Sequence, residues 1–380
     1  MKKQIIILFL VLVNTSMSWS QHFVKITTPC NNEFLQKVQG QWIHWGDATH
    51  AKISKQQQQE IFNRLDKIHQ CVLSIYPSPL GIDAAWSRFT TDEDFAYKVK
   101  VDHFSEGGAS ENFVDGIPVV RYSYTAHFCQ YNCGRNSYEM LRGEGCESGS
   151  DISVTANTLG PVIPRANGGP EEMKIDGREI RMMPVVKGNW KGYTLYTSEA
   201  GSGVNMVILH REGILPYVPV TRKQYLDRSI ITIGNMYDKM IADNEKNSKA
   251  WIDAGMADAQ TLKEKREKFQ KEKKDLIKYY QDELAATTAA GLLESPAIIS
   301  TGMVNLDPGL PIFSTEANGG RLLVTENPTY IRKDLPKYVP QFMIFRFEKG
   351  NWLLFTPNPD PMVAAEEKFP IEKLQAMIDK

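Results

Sequence analysis

Single-sign charge is scarce in this chain, as are cysteine, histidine and long apolar runs, and each scarcity excludes something. Lysine and arginine number 44 against 45 aspartates and glutamates. A balance so close to neutral gives no global field to attract a phosphate backbone, so no nucleic-acid partner is expected. One apolar run stands out, Ile5 to Val13, and it falls well short of the roughly 20 residues a membrane-crossing helix requires. Five cysteines and seven histidines in 380 residues leave little material for metal clusters. His-Glu-x-x-His, Gly-x-Ser-x-Gly and a glycine loop for phosphate are all missing, which removes the motif-bearing zinc peptidases, serine hydrolases and nucleotide enzymes. No cofactor is called for.

Lys2 and Lys3, the apolar run and the small-residue site Ser18-Trp19-Ser20 before Gln21 read as a secretory signal peptide, residues 1–20, cleaved near Ser20. Cys30 lies too far downstream, without small residues close behind it, to be a lipidation site. The leader takes two of the basic residues and none of the acidic ones, so the mature chain carries about −3. Export to a bacterial periplasm or beyond is expected, with no span left after cleavage. Apolar residues at 42% and charged residues at 23% are ordinary for a globular chain with a full core.

Periodicity divides the mature chain into three. Residues 21–220 begin with a helix opened by Ser54 and Gln57 as a capping box, carrying Ile61, Leu65, Ile68 and Val72 at helical spacing. Strand signals follow. Phe95, Tyr97, Val99 and Val101 alternate with polar residues, Val119 to Phe128 forms a second strand, and Asp176-Gly177 marks a hairpin. Val185-Val186, a turn at Lys187-Gly188-Asn189 and Trp190 to Tyr196 read as another hairpin, with a strand at Val204 to His210 beyond it. Residues 221–295 are nearly free of glycine and proline, and Thr221 with Gln224 is a second capping box. The run Lys263 to Asp275 holds seven basic and four acidic residues and one apolar one, Phe269. A helical hairpin turning near Asn244 to Ala254 and resting only partly on the body fits that pattern, the basic run being a solvated face or a contact for anionic envelope polymers.

Residues 296–380 return to strand at Leu322–Thr325 and Gln341–Phe347. They end in an amphipathic helix with Ile371, Leu374 and Ile378 inward, and are expected to pack on the first unit. Lys-Gly-Asn-Trp occurs at Lys187 and again at Lys349; its flanks differ, which favours a reused turn over a duplicated domain. The fold class is therefore α+β: mostly antiparallel sheet in meanders and hairpins, an amphipathic N-terminal helix, a long helical insertion and a C-terminal helix.

The densest chemistry is His127-Phe-Cys-Gln-Tyr-Asn-Cys-Gly-Arg. On a strand, Arg121, Ser123, Thr125, His127 and Cys129 share one face, while Tyr122, Tyr124, Ala126 and Phe128 share the other. His127, Cys129, Cys133 and Cys146 offer one nitrogen and three sulfurs to a tetrahedral zinc. Export favours disulfides instead, and Cys129-x3-Cys133 misses the redox spacing. The expected pairs are Cys146 with Cys133 or Cys129, closing a glycine-bearing loop, and Cys30 with Cys71 across the first helix, one thiol being left over.

Trp42, His44, Trp45 and His50 cluster as stacking rings and imidazoles suited to a carbohydrate or peptide groove, or else as core tryptophans with surface histidines. The function expected is non-enzymatic binding of a partner protein or an envelope ligand. The alternative is a secreted hydrolase with scattered residues, for which His210, Glu212, Ser202 and His127 are the candidates.

Overall fold

A computed structural model describes residues 22–96, 98–101, 111–114, 116–142, 150–163, 173–198, 203–255, 258–300, 304–350 and 355–380. The leader 1–20, Ser202 and Cys146 lie outside these residues.

The organising element is an eight-stranded sheet. Its strands are β1 (Trp42–Thr49), β2 (Ile82–Phe95), β3 (Ile117–Gln130), β4 (Ser150–Ala156), β5 (Val185–Trp190), β6 (Tyr193–Thr197), β7 (Val204–Leu209) and β8 (Met343–Glu348). In space they run β5-β6-β7-β8-β4-β3-β2-β1. Every neighbouring pair is antiparallel except β1 with β2. Thus β8, from the end of the chain, lies between β7 and β4 near the middle of the sheet. The fold is α+β with mostly antiparallel sheet, as the alternation and turn signals predict.

Helix α1 (Lys55–Ile75) starts where expected. Ser54 Oγ accepts from the Gln57 amide at 3.2 Å and Gln57 Oε1 accepts from the Ser54 amide at 2.9 Å, so two orphan amides of the first turn are satisfied. Its stripe Ile61, Leu65, Ile68, Cys71, Val72 and Ile75 lies on one face of the sheet. Two short helices near the C-terminus, Pro361–Lys368 and Ile371–Gln375, add Met362, Ala365, Ile371 and Leu374 to the same core, and Ile378 in the turn beyond them joins it. The sheet supplies Tyr122, Tyr124, Ala126 and Phe128 from β3, Ile152 and Val154 from β4, and Phe345 and Phe347 from β8.

A smaller sheet of Arg181–Met182, Tyr217–Pro219, Ile298–Ile299 and Arg321–Glu326 packs against the opposite face. It covers only part of that face, over Phe95, Val119, Ile208 and Ile344.

The helical insertion is a hairpin of α2 (Arg222–Asp253) and α3 (Ala259–Ala289). Thr221 and Gln224 exchange the expected capping bonds. The turn falls at the C-terminal edge of the expected window, since α2 continues through Asn244 and stops before Gly255, whose φ of 67° a side chain would resist. Tyr225, Leu226, Ile233, Leu276 and Tyr280 anchor the base of the hairpin to Ala297, Ile299 and Leu323. Between Lys263 and Asp275 nearly every residue is exposed.

Several local expectations shift. The strand expected from Phe95 is the end of a 14-residue strand; Ala96, at a φ of 52°, breaks it before the separate Lys98–Val101 strand. Asp176 and Gly177 form the expected tight turn, both with positive φ. The hairpin after Val185 turns not at Lys187-Gly188-Asn189 but at Lys191-Gly192, with φ of 51° and 88°. Gly188 sits in the strand at a bulge, and Asn189 Oδ1 accepts from the Gly192 amide at 3.0 Å, bracing the turn from the side. In the second Lys-Gly-Asn-Trp copy, Asn351 and Trp352 lie outside the described residues.

The expected Cys30–Cys71 bridge does not exist. Cys30 is bonded to Cys133, with Cα atoms 5.6 Å apart. Backbone pairing explains the choice. His22–Lys25 pairs with Glu139–Arg142, and Cys133 pairs with Met140 on the same small sheet, so the N-terminal segment is delivered to Cys133 rather than to α1. Cys71 is a buried thiol facing the core, and burial pushes its pKa up. Cys129 is also disulfide-bonded. The Cys133–Cys146 alternative is therefore excluded.

Candidate functional site

Two neighbouring strands build the site from their odd-numbered residues. In β3, odd-numbered Arg121, Ser123, Thr125 and His127 point away from the helices while their neighbours are buried. In β4, Asp151, Ser153 and Thr155 do the same. The register sets Thr155 beside Ser123, Ser153 beside Thr125 and Asp151 beside His127. On the other side of β4, Arg346 pairs with Ser153 and Glu348 with Asp151. Past Ile344 and Ile208, where the smaller sheet ceases to cover this face, the apolar side chains give way to hydroxyls and charges.

Among the described residues nothing covers the rest of the face, which is concave, a cavity of about 680 Å³. Ser123, Thr125, Ser153 and Thr155 make its floor. Arg121 and Arg346 stand on that floor, Arg321 enters from the smaller sheet, and Pro161, Val162, Pro184, Val204 and Met206 supply the apolar part of the wall. Three guanidiniums face one lining carboxylate, Glu348, which pairs with Arg346. Arg121 has Glu93 at 3.8 Å. Arg321 is held by the Met183 and Ser198 carbonyls, to which it donates at 2.9 and 2.8 Å. The cavity is therefore electropositive and rich in hydroxyls.

One row along the same face, His127 Nδ1 donates to Asp151 Oδ1 at 2.5 Å, and the Trp45 ring lies 5.4 Å from the imidazole. Both side chains of the pair are partly exposed. Among the described residues Nε2 of His127 meets no hydrogen-bond partner. A carboxylate that fixes the tautomer and leaves Nε2 open is the orienting half of a general-base arrangement.

The residues singled out in the sequence are not gathered together. Trp42 turns to the helix side, donating from Nε1 to the Tyr76 carbonyl at 3.1 Å and standing edge-on to His69 and Phe128. His44 stacks on Trp86 at 4.1 Å, and Trp86 stacks on His69 at 4.1 Å, so the indole is held between two imidazoles. His44 also meets Asp47, which Arg88 clamps at 2.6 Å. Trp45 alone of the cluster reaches His127 on the cavity side, because the β1 register shifts between His44 and Gly46; His50 lies 5.7 Å from Phe89. His210 donates from Nδ1 to the Arg211 carbonyl at 2.7 Å and does not engage Glu212.

The zinc set comes apart. Cys133 is spent on Cys30 and Cys129 is disulfide-bonded, so neither sulfur can ligate as a thiolate. Among the described residues no group of three or more histidines, cysteines, aspartates or glutamates is placed to hold a metal, and no helix is long and apolar enough to cross a membrane.

Arg321, Arg346, Glu348, Ser153, Thr155 and Ser198 escaped the sequence reading. Parity along Asp151–Ala156 and Met343–Glu348 marks each strand as two-faced. Nothing local says that two strands nearly two hundred residues apart are neighbours.

No protein-family model, no curated protein and no solved structure matches this chain.

Proposed function

We propose that this is an exported, non-enzymatic protein that binds a small polar ligand in the cavity on the open face of its central sheet. One observation carries the reading: in the middle of an eight-stranded sheet, where a second layer would ordinarily bury apolar side chains, the face is hydroxylated, charged and concave. A volume of about 680 Å³ falls in the usual range for small-molecule sites, as does a mixed lining with a few convergent polar groups. The leader pattern and the Cys30–Cys133 disulfide support export to an oxidising compartment.

A thermal-shift screen of polar metabolites against the mature chain tests the binding. The expected result is a ligand that raises the melting temperature of the wild type but not of Ser153→Phe, whose ring fills the cavity. A ligand that stabilises both equally places the site elsewhere, and a screen without any stabilising compound overturns the reading. Export is checked by N-terminal sequencing after expression in a bacterium with an envelope; the mature chain should begin at Gln21, and full-length protein retained in the cytoplasm contradicts it.

The His127–Asp151 pair favours a second reading, a hydrolase in which His127 Nε2 accepts a proton from water. Turnover of simple ester substrates that disappears in His127→Gln and Asp151→Asn would establish it at the expense of the first. Absence of turnover with fully folded wild type removes it.

A further inference from the structure

We infer that the cavity is built for a hydroxylated carboxylate, an acidic sugar or sugar acid, with Arg121 receiving the carboxylate and the floor hydroxyls receiving the polyol. The inference rests on the cavity being the binding site.

Charge comes first. Of the three lining guanidiniums, that of Arg346 is matched by Glu348, and Arg321 is committed to two backbone carbonyls. Arg121 differs. Its one acidic neighbour, Glu93, sits at 3.8 Å from a terminal nitrogen, and its Nε is buried without a hydrogen-bond partner among the described residues. Nε is closed off from the cavity, but the terminal nitrogens belong to a side chain that is 36% exposed, and they keep N–H groups for a carboxylate. The Phe89 ring, 5.9 Å from the guanidinium carbon, limits how far it can swing.

The floor then selects among anions. Ser123, Thr125, Ser153 and Thr155 have no side-chain hydrogen bond to the protein among the described residues. Each hydroxyl has one donor and two acceptor sites. Inorganic phosphate offers mainly acceptors, with at most two O–H groups, and leaves most of the hydroxyl lone pairs unmatched. A polyol offers O–H groups of its own and satisfies both halves. By strand spacing, the floor extends roughly 7 Å along each strand and 5 Å between strands, the size of one sugar ring.

The test is calorimetric titration at fixed ionic strength. Glucuronate, galacturonate and gluconate are each compared with an uncharged counterpart, glucose, galactose and glucitol, with inorganic phosphate as a further probe. The expected result is binding of at least one acid in preference to its counterpart and to phosphate. Arg121→Met should weaken that binding by about 10- to 100-fold, as losing a charge-assisted pair does. Thr125→Val, which keeps shape and removes one hydroxyl, should weaken it by a smaller factor and serves if Arg121→Met does not fold.

Neutral sugars binding as well as the acids overturn the carboxylate, and phosphate outcompeting the acids overturns the polyol. Full affinity in both variants overturns the assignment of the residues. If none of these probes binds while a compound from the metabolite screen is lost in Ser153→Phe, the ligand class falls and the cavity stands. If nothing binds at all, both fall.

Discussion

The two faces of the central sheet are made from the same strands with alternate residues, yet they serve opposite purposes. Towards α1 and the C-terminal helices, β3 shows Tyr122, Tyr124, Ala126 and Phe128, each at most 1% exposed. Towards the cavity it shows Arg121, Ser123, Thr125 and His127, all partly solvated. The first face is packed to exclude water and sets stability; the second is held in position by the first and is free to be chemically specific. A site on a strand backed by a full core is positioned better than one on a loop, because the strand cannot move without breaking the packing behind it.

Truncation on either side is the most direct way to break this contrast. Phe128→Ala removes a fully buried ring and should cost about 3–5 kcal/mol, whereas Thr125→Ala, three positions earlier on the same strand but facing the cavity, should cost about 0.5 kcal/mol. Urea denaturation measures both, and equal losses would mean that the cavity face is as load-sensitive as the core.

Acid sharpens the contrast next. His69 on the helix side is buried against Trp86 and Trp42 with Tyr124 Oη at 2.9 Å from Nδ1, and burial pulls its pKa from 6.5 down to about 4. The Asp66 carboxylate opposes that shift, while His44 and Arg88 add to it. Because the folded pKa lies below the unfolded one, the unfolded chain takes up the proton first. The stability this ring contributes is fully present above pH 6.5 and is lost as pH falls from there towards 4. The loss is on the order of 3 kcal/mol by linkage. His69→Phe should be less stable at pH 7, through the stranded Tyr124 hydroxyl, but flatter between pH 6.5 and 4. A variant that keeps the wild-type slope would assign the acid sensitivity elsewhere.

The smallest effects lie away from both faces, on the arm. Lys273 reaches Asp238 at 2.6 Å and Arg266 reaches Glu245 at 2.9 Å, pairs of which at least one partner is well exposed. Asp238→Asn should cost no more than about 1 kcal/mol. With few apolar positions behind them, amides around Phe269 should exchange before those of β3 in native-state hydrogen exchange. Equal protection would show that the arm unfolds only with the sheet.

Local chemistry made much of this legible in advance. The capping boxes at Ser54 and Thr221, the tight turn at Asp176-Gly177 and the parity of β3 all depend on atoms within a few residues of one another, so a reading of neighbours suffices. The misplaced turn at Gly188-Asn189 shows where that stops. Positive φ at Gly188 serves a bulge, and only the pairing of β5 with β6 decides that the chain reverses two residues later.

By itself, then, the sequence determined the α+β class, the two-faced character of Val119–Phe128 and the helical arm, because periodicity of two and of 3.6 is written along the chain. Tertiary structure alone decided that Cys30 joins Cys133, that β8 enters beside β4, and that Arg321 from another sheet closes a cavity over Ser153 and Thr125. Those outcomes depend on register between segments far apart in sequence, where shifting a strand by one residue would exchange its two faces.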